Sequence, residues 1–395
     1  MAHAPRPAPF TLVHALVGLT VLTGGVVMIE PAPYDLLMAA AVVVGPWLCW
    51  PSVRPTLGLP IALAALLLLA NGASMVLMAD LRHGVAFVSV TTYLVVSWAL
   101  LVGWLDRLGT SLFRTVLHAY ALGAGLTAAA AVAAYFGLVP GAAHMLPDGR
   151  LQGLFKDPNV FGAFMVPAVV LAVARFETDR PAFVGLTAIG ILAILLSYSR
   201  GSWINLTLSL LTYAALRTLA GRLRPTPGRV LAAFAGLLLV GVLLVIAFDH
   251  PAVRDMLEIR ASPQGYDDDR FANQAAAFSL ALEHPWGIGP GATEEHFTIS
   301  AHSLYVRAFV ESGLLGLWAT VGLVLASLGR ALWAALHSCH DDEQRMLAVV
   351  AASLAGAVVE SAVIDSVHWR HLWLLLALAW APRSPPARCG SNAGC

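Results

Sequence analysis

Residues 267–305 read DDDRFANQAAAFSLALEHPWGIGPGATEEHFTISAHSLY, the only long polar interval in a chain that is otherwise apolar almost from end to end. The interval opens on three carboxylates (Asp267, Asp268, Asp269) and Arg270. It continues through an amphipathic run, turns at Gly287-Ile288-Gly289-Pro290-Gly291, and ends at Ala301-His302-Ser303-Leu304-Tyr305. The contrast with its flanks decides the fold. The chain is 58% hydrophobic and only 12% charged, against roughly 25% charge in a soluble domain. Apolar runs of about 20 residues, enough to cross a bilayer core, recur on both sides of the interval. The fold class expected is therefore all-α: a polytopic helical membrane protein whose polar interval covers a cavity on one outer face.

Working outward, the apolar runs are 12–29, 34–50, 57–79, 84–105, 113–139, 159–176, 182–199, 202–219, 230–248, 303–325, 346–364 and 371–381. They predict about 12 transmembrane helices, or 10–12 given the short last run and the tight junction at Arg200. The loop 217–229 alone carries Arg217, Arg222, Arg224 and Arg229. By the positive-inside rule this puts that loop and both termini in the cytoplasm. The outward basic residues then gather near two outer loops, 140–158 and 249–302, or at membrane boundaries. Binding an anion is the simplest reason for cations placed against the topology bias. All basic residues but Lys156 are Arg, so position, not residue type, carries that argument.

Net charge is zero, which offers no global basic field for nucleic acid. The four cysteines, Cys49, Cys339, Cys389 and Cys395, form no CxxC pair and fall at or near the cytoplasmic side, so no disulfide is expected. The first apolar run lacks a small-residue cleavage site and is expected to be retained. No repeat recurs at a fixed period. One membrane domain, 1–395, is expected, with an outer-loop subdomain at 249–302 and a disordered tail at 382–395.

Five constellations carry possible chemistry. In Phe155-Lys156-Asp157-Pro158-Asn159, Asp and Pro suit an ordinary helix start. Lys156 places a compact charge there, where a phosphate is welcome, or serves as an interface anchor. In Ser197-Tyr198-Ser199-Arg200-Gly201, two apolar helices meet with almost no loop, so Arg200 is held at the membrane boundary, to grip phosphate oxygens or to snorkel. After Arg270, Phe271, Ala275, Phe278 and Leu282 recur at helical spacing, predicting an amphipathic surface helix. The acidic run at its start favours the helix dipole. A metal site from three adjacent carboxylates is disfavoured, because they cannot converge. Gly289 and its neighbouring glycines let backbone approach a ligand, or simply turn. His302 lies at a membrane–water boundary, followed by Tyr305, Arg307 and Glu311. A lone His is more often structural, but a neutral imidazole there can accept a hydroxyl proton. Glu311 can pair with Arg307 at i,i+4. Asp365, His368, Arg370 and His371 form a further outer cluster that suits a polar hairpin tip or closes the same cavity.

The order Phe155-Lys-Asp-Pro-Asn159, Ser197-Tyr-Ser-Arg-Gly201, Arg270, His284-Pro-Trp-Gly-Ile-Gly-Pro-Gly291, Ala301-His-Ser-Leu-Tyr305 and Glu311-Ser-Gly313 resembles the O-antigen ligase and polymerase superfamily, bacterial inner-membrane glycosyltransferases of the GT-C type. The resemblance implies an active site facing the periplasm and a donor glycan on undecaprenyl pyrophosphate. The acceptor would be a sugar hydroxyl on a glycan or a lipid A-core, with membrane lipids as surroundings, no nucleic acid, and neither metal nor other cofactor. It implies that Arg200 and Arg270 hold the pyrophosphate, with His302 as base or acceptor positioner. Lys156, Asn159, Arg307, Tyr305, Gly289 and Glu311 would then be substrate-binding residues. At 303 the family often has Asn where this chain has Ser. Ligase and polymerase share these motifs. A flippase or transporter without bond-forming chemistry is the competing expectation, and an assembly protein a third. A transporter should show matching broken helices in two halves, and none is legible here.

Overall fold

The computed structural model describes residues 8–78, 80–140, 142–176, 182–222, 227, 238, 241–242, 245, 249, 251–261, 265–297 and 302–382. Among these residues all regular structure is helical and no strand is present. The helices are α1 (Ala8–Leu22), α2 (Pro33–Leu48), α3 (Gly58–Met75), α4 (Leu81–Leu108), α5 (Thr110–Tyr135), α6 (Pro158–Phe176), α7 (Ala182–Leu196), α8 (Arg200–Leu219), α9 (Pro251–Ala261), α10 (Gly265–Glu283), α11 (Thr293–His296), α12 (Leu304–Leu336), α13 (Asp341–Glu360) and α14 (Arg370–Leu378). Their starts follow local chemistry. Asp80, Ser199 and Ser303 side chains accept backbone N–H groups of α4, α8 and α12, and Pro33 and Pro158 open α2 and α6.

α4, α5, α6, α12 and α3 with its leading turn are long and apolar enough to cross a membrane, and α1, α2 and α7 are shorter apolar helices. The helical membrane class thus holds. The expected run 303–325 is longer, a 33-residue element that continues to Leu336 with a kink at Gly313; Arg330 lies against Trp333 in its added part. α8 and α13 have 20 residues each, and their polar positions face one another. The run expected at 230–248 lies almost wholly outside the described residues. So do the tail beyond 382, with Cys389 and Cys395, and the side chain of Asp267.

Small residues set the close approaches in this bundle. A Cβ on Gly356 would stand 2.2 Å from Asn205 Oδ1, so α13 lies directly on α8. At the far end of that pair, Arg217, 1% exposed, is held by Asp341 at 2.9 Å. α12 packs on α3, α6 on α7, and α1 on both α2 and α5.

α12 is broken at Gly313, whose φ is 66°. The break turns the carbonyls of Val310 and Glu311 out of the helix, and the N–H groups of Ile288 and Gly289 donate to them at 2.9 and 3.0 Å. Leu314 N–H donates to the Pro285 carbonyl at 2.9 Å. The glycine-rich turn is therefore stitched edge-on to a kinked helix, and these carbonyls released by the kink find partners in the turn.

Candidate functional site

The end of α13 is where the separate motifs meet. Leu304 N–H donates to the Ser361 carbonyl at 2.9 Å. Gln274 on α10 donates to the Ala362 carbonyl, also at 2.9 Å. From α8, Ser202 and Asn205 donate to the two carboxylate oxygens of Glu360, at 2.9 and 2.6 Å. His302, Arg270 and Arg200 stand two, four and two residues from these anchors, so three stretches distant in sequence converge on one helix end.

His302 adopts φ 43°, a left-handed conformation that His tolerates better than most residues. Ser303 then caps α12, its hydroxyl accepting from Val306 N–H at 3.4 Å. Asn and Ser are equivalent caps, which gives the Ser at 303 a physical reading. Burial, chiefly, and then the charge of Arg270 hold the His302 imidazole below the ordinary histidine range, with Asp365 and Asp157 pulling the other way. The ring is thus predominantly neutral near pH 7.

Arg270 is half-buried, its guanidinium over the Phe271 ring at 5.0 Å. Its Nε is buried with no hydrogen-bond partner among the described residues, and such a group is costly unless a ligand arrives. α10 packs its alanine face, Ala277 and Ala281, inward, while Phe271, Phe278 and Leu282 stay about half exposed. Arg200 is exposed at the first position of α8.

Asp157 caps α6, accepting from Asn159 N–H at 2.6 Å, which is the plain helix-start reading. Asn159 Oδ1 accepts from Arg150, whose Nε also donates to the Ser197 carbonyl. Arg150, expected only as one of the outward basic residues of loop 140–158, thus ties two of the motifs together. Lys156 pairs with Glu30 at 2.7 Å, both about half exposed, a weak and easily displaced pair.

Four residues expected to meet substrate have protein partners of their own. Arg307 is buried, donating to Glu311 and Glu294 at 3.0 and 2.9 Å and to Asp365, with Phe87 beneath its guanidinium. Glu311 is equally buried and also accepts from Thr293. Tyr305 donates its hydroxyl to the Val358 carbonyl at 2.8 Å. A Cβ on Gly289 would stand 2.0 Å from Met78. These contacts fasten the loop and the start of α12 to the bundle.

Beside this site lies a cavity of about 900 Å³, mainly apolar, whose wall includes Lys156, Asp157, Asp35, Tyr93, His368 and Arg370. Burial pushes His368 down to about 4, and its Nε2 sits 3.1 Å from the Thr91 hydroxyl. Arg370 grips Asp35 through Nε at 2.6 Å and through Nη2. Among the described residues no three His, Cys, Asp or Glu side chains gather as metal ligands would.

Glu360 escaped the sequence reading, although a single carboxylate inside the apolar run 346–364 is itself a signal. Asp35 escaped because it sits at a helix start, where acids are common.

No curated protein matches the chain. Residues 185–321, from α7 into α12, match the family model described as O-antigen ligase, and this stretch contains Arg200, Arg270 and His302. This match supports the resemblance of the chain to the O-antigen ligase and polymerase superfamily.

Proposed function

We propose that this membrane glycosyltransferase moves a glycan from undecaprenyl pyrophosphate onto a sugar hydroxyl of a glycan or lipid A-core acceptor, at the periplasmic face of the inner membrane. About twelve spans, cytoplasmic termini and a periplasmic subdomain at 249–302 belong to the same proposal. The observation that carries it is the pairing of His302 with Arg270: a neutral imidazole beside a guanidinium that keeps an unused buried donor.

In this reading the acceptor hydroxyl gives its proton to His302 as its oxygen bonds to the anomeric carbon. The bond from that carbon to the pyrophosphate oxygen breaks, and the lipid pyrophosphate leaves with the electron pair. Arg270 and Arg200 stabilise the charge growing on that oxygen, which is electrostatic catalysis by positioned donors. Lys156 and Asn159 stand at the neighbouring helix start, where a second phosphate oxygen or the first sugar would lie. Arg307, Glu311, Tyr305 and Gly289 shape the loop that brings His302 to the site.

The test is to incubate purified protein with its lipid-linked glycan and candidate acceptors and weigh the products. His302→Ala and Arg270→Ala should each lower kcat by at least about 100-fold, in the range seen when a general base or a charge-stabilising donor is lost. Unchanged turnover in both variants, or movement of the lipid across liposomes with no new glycosidic bond, would sink the proposal.

A further inference from the structure

Glu360 is 2% exposed and lies at the last position of α13. The groups that donate to it are neutral: Ser202 to one oxygen and Asn205 to the other. A carboxylate buried without a cation beside it is expensive, and nothing in helix packing requires one there. α8 closes directly on it, since a Cβ on Gly201 would stand 3.1 Å from Glu360 Oε1. The Ser202 oxygen also lies 3.2 Å from the Asn159 carbonyl, so the start of α6 joins the same knot. The next two residues of the chain, Ser361 and Ala362, take the hydrogen bonds that fix the His302 segment and the Arg270 helix.

We propose that Glu360 is a positioning residue for the transfer reaction: its two oxygens hold the first two turns of α8, and with them Arg200, in register with the turn on which His302 and Arg270 hang. The carboxylate is suited to this because it offers two separate acceptor oxygens, one for each donor, which an apolar side chain or a single hydroxyl oxygen does not. The inference rests on the proposed transfer, and the experiment separates the two.

In the purified transfer assay, Glu360→Ala should lower kcat by about 10- to 100-fold, the range that a displacement of about 1 Å at a reacting centre produces. The donor KM should move less. Glu360→Gln keeps one acceptor oxygen and should recover part of that loss. Arg200→Lys supplies the decisive cycle. If Glu360 acts through Arg200, the losses of Glu360→Ala and Arg200→Lys combine to less than their product. Ser202→Ala, a smaller cut at the same joint, should give a milder loss coupled in the same way, and it carries the test should Glu360→Ala not accumulate. Wild-type kcat in Glu360→Ala overturns the proposal, as do losses that multiply fully with Arg200→Lys in both the Glu360 and Ser202 variants. If instead the wild-type protein forms no glycosidic product, or His302→Ala matches it, the transfer reading itself has failed.

Discussion

His302 draws its character from neighbours that sequence spacing could not bring together. Arg270 is on α10, Asp157 caps α6 and Asp365 lies in the turn after α13, and all act on its ring. As a base it must be neutral. Because burial and Arg270 lower its affinity for protons, the neutral form persists to lower pH than in an ordinary histidine, whose value is 6.5. The acid limb of kcat/KM should therefore fall below that value. Asp157 raises the affinity, so Asp157→Asn, which still caps α6, should shift the limb further toward acid. A limb that stays put or moves up in that variant would separate His302 from the rate profile. His302, Arg270 and Arg200 could be singled out from the sequence by the motifs that hold them. The i,i+4 pairing of Arg307 with Glu311 was legible and is present at 3.0 Å; the other neighbours of Arg307, namely Asp365, Glu294 and Phe87, were not, because only folding brings them near.

At the scale of elements, the break in α12 is the feature that spacing hid. Gly313 reads as one more glycine in an apolar helix. Its φ of 66° and ψ of −166° belong to a region that glycine alone occupies at low cost, and a Cβ there would lie 2.4 Å from the Pro285 carbonyl. Gly313→Ala should destabilise the protein by at least about 2 kcal/mol, from backbone strain and clash together, seen as a lower melting temperature in detergent. Gly329, on the same helix with open space around it, is the control: Gly329→Ala should be neutral or stabilise by up to about 1 kcal/mol, the helix-propensity difference. Equal effects of the two would mean that the turn 284–291 does not lean on the kink. The amphipathic helix after Arg270 was legible from its period. The face it buries was not, since the small alanines pack on α12 and the larger aromatics remain outside.

Over the whole molecule, hydropathy was enough to give the helical membrane class, because span length follows from bilayer thickness. It could not give the pairing of helices, which depends on small residues and on polar groups such as Asn205 and Ser209 meeting Gly356. Nor could it show how the first and last parts of the chain are joined. Arg370, at the start of α14, takes Asp35 of α2 in a two-pronged grip, Tyr93 of α4 donates to the same carboxylate, and Asp35 also accepts from Ala32 N–H. Both partners are mostly buried, with side chains 21% and 16% exposed. Removing one of them leaves the other charge short of solvent and partner alike. Arg370→Ala and Asp35→Ala should each lower stability by about 1–3 kcal/mol, less than the loss at a fully buried pair, and the double variant should cost less than the sum of the two. Melting temperatures of the four proteins in one detergent measure this directly. Additive shifts would mean that α14 is held to α2 by apolar packing alone, with the ion pair adding nothing to the closure of the bundle.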